Sequence, residues 1–144
     1  MTATRSRKED VTYKKYLKTK NKDDCVFCTI NEGNDQLIER LNDFKVIRNI
    51  FAYSVWDSQN VEDHLMIVPN NHTDRFSIMT SQQKIEYFDL LDKYEKLGYN
   101  IYLRAPNSNI KSIVHQHTHL IKTGGDLKRF ILFIRKPYLR IVRP

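Results

Sequence analysis

Glycine and proline are scarce in this chain of 144 residues, at four each, and cysteine is scarcer still, at two. So few chain breakers exclude a collagen-like, linker-rich or low-complexity polypeptide. No apolar run approaches the ~20 residues that a membrane-crossing helix needs. The opening MTATRSRKED has no apolar stretch of the kind a secretion signal carries. The expectation is a cytoplasmic protein with no membrane partner. Two cysteines cannot build a disulfide framework. Cys25 and Cys28, spaced C-x-x-C, read in a reducing compartment as metal ligands or a redox pair.

Hydrophobic residues make up 40% of the chain, with seven Phe and eight Tyr among its aromatics. A chain of this length buries roughly 70% of its unfolded surface, enough for a real core. The net charge of +7 is uneven. Residues 1–22 carry eight Lys/Arg against two acids, and residues 120–144 carry seven against one. The body between them is mildly acidic. Basic ends suit an anionic partner, either a nucleotide phosphate or a nucleic-acid backbone, although a solvated tail gives the same pattern. A nucleic-acid partner is not favoured, because aromatic and basic side chains would have to interleave along one exposed sheet face.

The chain divides into a basic N-terminal arm or short helix over 1–22 and a folded domain over 23–144. Ser6 and Glu9 have capping-box spacing ahead of a weak apolar stripe at Val11, Tyr13, Tyr16 and Leu17. Leu37–Ile38 and Lys45–Ile50 read as strands joined at Asn42-Asp43, with Phe51–Trp56 continuing as strand and Ser58–Asp63 as a polar loop. His64-Leu-Met-Ile-Val-Pro69 is a short buried strand stopped by proline. Thr80 and Gln83 cap a helix carrying Ile85, Phe88, Leu91 and Tyr94, which Gly98 closes. Tyr99–Arg104 and Ile110–Ile121 read as strands, Gly124-Gly125 as a turn, and Phe130–Ile134 as a further strand. The whole predicts an α+β domain: an antiparallel sheet of five to seven strands in meander order, one long helix and short helices.

Three of the five histidines stand at 115, 117 and 119. Alternate strand residues face the same way, about 7 Å apart, so the three imidazoles share a face. Three imidazoles on one face call for polar partners, a metal or an anion. The ring nitrogen of imidazole is unprotonated near neutral pH and can attack phosphorus.

His115-Gln-His117-Thr-His119-Leu-Ile121 resembles the His-x-His-x-His signature of the histidine triad (HIT) family. The likeness extends to His64-Leu-Met-Ile-Val-Pro-Asn-Asn-His72, to Cys25-Val-Phe-Cys28-Thr-Ile30, and to Ser112 three residues ahead of the triad. It runs from about Cys25 to Ile121. The resemblance implies a HIT-like fold and a nucleotide-phosphate hydrolase of the dinucleoside polyphosphate or nucleoside phosphoramidate type. His117 would form a covalent nucleotidyl-histidine, His119 and Ser112 would contact phosphate oxygens or the leaving group, and His64 would support them. It also implies structural Zn2+ on Cys25, Cys28, His72 and His115, and a homodimer. A third triad histidine, where the family's transferases commonly have Gln, favours hydrolysis.

The chain departs from the family at Gln116 and Thr118, where apolar residues are usual, and at Lys111 and Arg104. These two cations are replacement phosphate ligands or surface charges. Phe51, Tyr53, Val55 and Ile67 are candidates for a base pocket, with core packing as the plainer role. Three alternatives stay open: a nucleotidyltransferase of the same family, a nucleotide-binding protein without turnover, and a metal site built from the triad itself.

Overall fold

The computed structural model describes residues 5–19, 25–109, 111–126, 128–132 and 139–143. The N-terminal helix α1 (Arg7–Thr19) precedes strands β1 (Leu37–Arg40), β2 (Phe44–Arg48), β3 (Val55–Trp56) and β4 (Gln59–Pro69). Helix α2 (Ser81–Lys96) follows, then β5 (Asn100–Leu103), β6 (Thr118–Asp126), β7 (Lys128–Leu132) and β8 (Leu139–Arg143). All strand pairs are antiparallel. The main sheet has six strands in the order β1-β2-β4-β6-β5, with β3 pairing the first part of β4, and β7-β8 form a separate two-stranded sheet. The α+β class holds, but the order is not a simple meander. Helix α2 carries the chain from β4 to the far edge, and β6 then returns between β4 and β5.

Local chemistry accounts for the helix ends. The Ser6 hydroxyl accepts from the Glu9 amide while the Glu9 carboxylate accepts from the Ser6 amide. The same reciprocal pair joins Thr80 and Gln83 at the start of α2, and Gly98 takes φ +83° just past its end. The pleat then sorts the core. Val46, Leu65, Ile67 and Leu120 face α2 and pack with its Leu90 and Tyr94. Ile47, Met66 and Val68 point to the opposite face, where Phe27 and Ile30 cover them. Helix α2 is pinned by Glu86, a buried carboxylate that accepts from the amides of Asp43 and Phe44 at 2.9 and 3.1 Å.

Several boundaries differ from the sequence reading. Residues 59–63 are the first half of β4, because β3 and β6 flank them and satisfy their backbone. Phe51–Ser54 leaves the sheet, and only Val55–Trp56 is strand. Asp57 and Ser58, with φ 46° and 68°, make the two-residue turn into β4. Gly124-Gly125 is no turn: β6 runs on to Asp126, and Gly124 pairs with Asn60 where the Glu62 side chain fills the space of an absent Cβ. The strand expected from Ile110 starts only at Thr118. Ile110 itself, residues 1–4 and 20–22 of the arm, and 133–134 of the Phe130–Ile134 run lie outside the described residues.

Candidate active site and metal-ligand group

The site lies on the face of the sheet opposite α2. In the pairing of β4 with β6, His64 stands opposite Ile121 and Met66 opposite His119. His64 and His119 are therefore diagonal neighbours on one face, within reach of each other across the ladder. The segment before β6 is not strand, yet it keeps the alternation. The Gln116 amide donates to the Thr73 carbonyl at 2.7 Å instead of to a sheet neighbour. His117 and His119 thereby lie with ring centroids 4.9 Å apart, while His115 turns to the cysteines.

Hydrogen bonds fix the ring protons. The His115 carbonyl can only accept, so at 2.8 Å the Nδ1 of His117 donates to it. Nε2 of a neutral His117 is then a bare base. The Tyr53 amide can only donate, and it reaches Nδ1 of His64 at 3.1 Å. Neutral His64 carries its proton on Nε2 and donates it to Nδ1 of His119, 2.9 Å away. His119 in turn holds its proton on Nε2. Burial holds these rings neutral. It pushes His117 down to about 4 against the pull of the His115 carbonyl, and His64 down to about 3 with the help of the Arg5 charge. His119 is pushed far down by burial and by its histidine neighbours.

A cavity of about 220 Å³ opens onto His117 and His119, with Arg104, Lys111 and Ser112 on its wall. Ser112 is exposed there. Arg104 donates to the Tyr53 hydroxyl at 3.3 Å. The Lys111 ammonium bonds the side-chain oxygen of Gln116 and the Asp74 carbonyl. Of the base-pocket candidates, Phe51 and Tyr53 reach the cavity, whereas Ile67 is fully buried under α2. Val55 is buried and is not on the cavity wall.

The two departures from the triad pattern are both buried and both satisfied. Gln116 is held by Lys111 and by the Arg104 carbonyl, and Thr118 meets the Tyr87 hydroxyl of α2 at 2.7 Å. Three contributors escaped the sequence reading. Asn49 aims its side-chain NH2 at the bare Nδ1 of His64 at 3.4 Å, Phe27 sets its ring against His117 with centroids 5.1 Å apart, and Arg5 reaches the cavity from the N-terminal segment. Phe27 alone had a local signal, since it sits between the two cysteines.

Cys25, Cys28, His72 and His115 form a separate group whose ligand atoms all lie within 4.8 Å of one another. The Sγ-to-Nδ1 distances are 3.3 Å for Cys25–His115, 3.4 Å for Cys28–His72 and 3.5 Å for Cys28–His115. A tetrahedral zinc with Zn–S of about 2.3 Å and Zn–N of about 2.0 Å would separate such atoms by about 3.5 Å. Two soft thiols and two imidazoles with these spacings fit a four-coordinate metal. Burial and the neighbouring Cys25 thiol push the Cys28 thiol up, a cost that a divalent cation would relieve. His117 and His119 are in no metal-capable group among the described residues, so the reading of the triad itself as a metal site finds no support there.

Solved structures share this architecture. A HIT family hydrolase from Clostridium thermocellum aligns with 78% of this chain and 100% of its own, at 20% identity and a TM-score of 0.54. A HIT family hydrolase from Legionella pneumophila Philadelphia 1 aligns with 71% of this chain and 93% of its own, at 20% identity and a TM-score of 0.50. No protein-family model and no curated protein sequence matches the chain. The fold is the histidine triad fold. No helix among the described residues is long and apolar enough to cross a membrane.

Proposed function

We propose that the protein is a nucleotide-phosphate hydrolase that works through a covalent nucleotidyl-histidine on His117. The observation that carries this reading is the 2.8 Å bond from Nδ1 of His117 to the His115 carbonyl, which leaves a neutral Nε2 facing a cavity with cationic walls. Nε2 attacks the phosphorus of a bound nucleotide, and the phosphoric anhydride or phosphoramidate bond to the leaving group breaks. The new P–N bond makes the ring cationic, and the His115 carbonyl stabilises that charge. Water then attacks the same phosphorus, the P–N bond breaks, and a nucleoside monophosphate leaves with Nε2 restored. Nε2–H of His119 and the Ser112 hydroxyl donate to phosphoryl oxygens or to the leaving-group oxygen or nitrogen, which takes up a proton as its bond to phosphorus breaks. The water that hydrolyses the P–N bond replaces that proton. Lys111 and Arg104 are the phosphate cations. His64 positions His119 and never touches substrate.

Zn2+ on Cys25, Cys28, His72 and His115 belongs to the same proposal. Four protein ligands leave no open position, so its contribution is a cross-link between the N-terminal segment and the loop before β6. The partners we infer are a nucleotide and a second copy of the chain.

The test is trapping. Protein incubated with a labelled adenylyl donor and quenched in alkali should yield an acid-labile adduct on the peptide holding His115–His119. His117→Ala should lose both the adduct and turnover while keeping its metal. An adduct on any other residue, or full turnover in His117→Ala, refutes the mechanism. Trapped adduct passing to a second nucleotide faster than to water would select a transferase. Nucleotide affinity without monophosphate release would select a binding protein.

A further inference from the structure

Helix α1 is docked onto the site by more than its aromatic side chains. Tyr13 and Tyr16 pack on Phe51 with centroids 5.2 and 4.7 Å apart. The Ser6 amide donates to the Ser54 hydroxyl at 2.7 Å, and that hydroxyl donates to the Glu9 carboxylate. This latch sets the position of Arg5 immediately before the helix. Nε of Arg5 donates to the Phe51 carbonyl at 3.0 Å, its one hydrogen bond to a described residue. The guanidinium plane rests 4.1 Å from the Tyr13 centroid and 5.0 Å from the Tyr53 centroid. Tyr53 is itself 4.9 Å from His64 and 5.8 Å from His119, ring to ring, and its hydroxyl takes the bond from Arg104. Two guanidinium groups therefore flank one tyrosine beside the reacting histidines.

A guanidinium has five N–H donors, and Arg5 uses one on the described residues. The remaining four belong to a rigid fork that suits phosphoryl oxygens. Glu9, a carboxylate whose charge Arg5 feels, is engaged by Ser6 and Ser54. After burial, the Arg5 charge helps depress His64, and it adds to the lowering of His119. Lys111 spends its ammonium on Gln116 and Asp74. Arg5 and Arg104, with one side-chain bond each to the described residues, are thus the cations of the cavity with most donors to offer.

We propose that Arg5 is a phosphate-binding residue of this site, and that with Arg104 and Lys111 it selects nucleotides whose leaving group is a chain of two or more phosphoryl groups. Three cations match a polyphosphate leaving group. An uncharged amine leaving group gives Arg5 nothing to bind. This inference rests on the reading of His117 as nucleophile, and it makes the N-terminal helix part of the substrate site.

The experiment compares the full-length protein with Arg5→Ala and Arg5→Lys on diadenosine tetraphosphate and adenosine 5′-phosphoramidate. Calorimetry with inorganic tripolyphosphate is run on the same proteins. Loss of a charge-assisted bond predicts that the kcat/KM ratio, tetraphosphate over phosphoramidate, falls about tenfold or more in Arg5→Ala, and that tripolyphosphate binding weakens about as much. Arg5→Lys should recover part of both. A ratio within twofold of the unmutated protein overturns the proposal, as does an equal loss on both substrates, which would mean that Arg5 only holds the helix in place. If the unmutated protein turns over neither nucleotide, the hydrolase reading fails. Tripolyphosphate affinity then decides on Arg5, and an unchanged Kd overturns its role.

Discussion

Acidification should destabilise this protein well above the pH at which carboxylates titrate. His64, His115 and His117 are buried, and burial is the first cause of lowering in each, to about 3, 4 and 4. In the unfolded chain the same rings titrate near about 6.5. The unfolded state therefore binds more protons between these values, and stability falls as pH drops from about 6.5 toward about 4. Each ring costs about 1.4 kcal/mol per pH unit in that window. At pH 5.5 the three together remove about 4 kcal/mol, and His119, also pushed down, acts in the same direction. A domain of this kind has about 5–15 kcal/mol in all, so the loss is a large fraction of the total. Proton competition for metal-ligating histidines has the same sign. Urea unfolding at pH 7.5 and at pH 5.5, followed by the fluorescence of Trp56, measures the effect. Trp56 is buried against Tyr53 and Tyr102 and should report loss of the site directly. A difference below about 1 kcal/mol would refute the reasoning, since the rings would then be taking up protons without leaving the folded state.

Removal of zinc by a chelator should lower Tm by roughly 5–10 °C if the metal is present at about a hundred times its dissociation constant. Elemental analysis should find one metal per chain, and Cys28→Ser should abolish it. Glu86→Ala should cost about 2–4 kcal/mol, because the Asp43 and Phe44 amides lose their buried acceptor. Glu86→Gln keeps an acceptor oxygen and should cost about 1 kcal/mol, and denaturant melts distinguish the two.

Features that depend on near neighbours were legible before any fold was known. The capping boxes Ser6/Glu9 and Thr80/Gln83 are closed by bonds three residues apart, which cost little chain entropy. The C-x-x-C pair and the alternating histidines are likewise local spacings, and they carried the likeness to the HIT family. Strand limits were less legible. Residues 59–63 look like a loop until β3 and β6 supply partners, and 111–117 look like a strand until the Gln116 amide finds Thr73. The polar residues at 116 and 118 read as departures because their partners, Arg104 and Tyr87, lie twelve and thirty-one residues away. Arg5 and Asn49 carried no local mark at all. Helix docking and sheet pairing bring them to the histidines. A bond between residues far apart in the chain depends on which strands become neighbours, and a single sequence does not state that order.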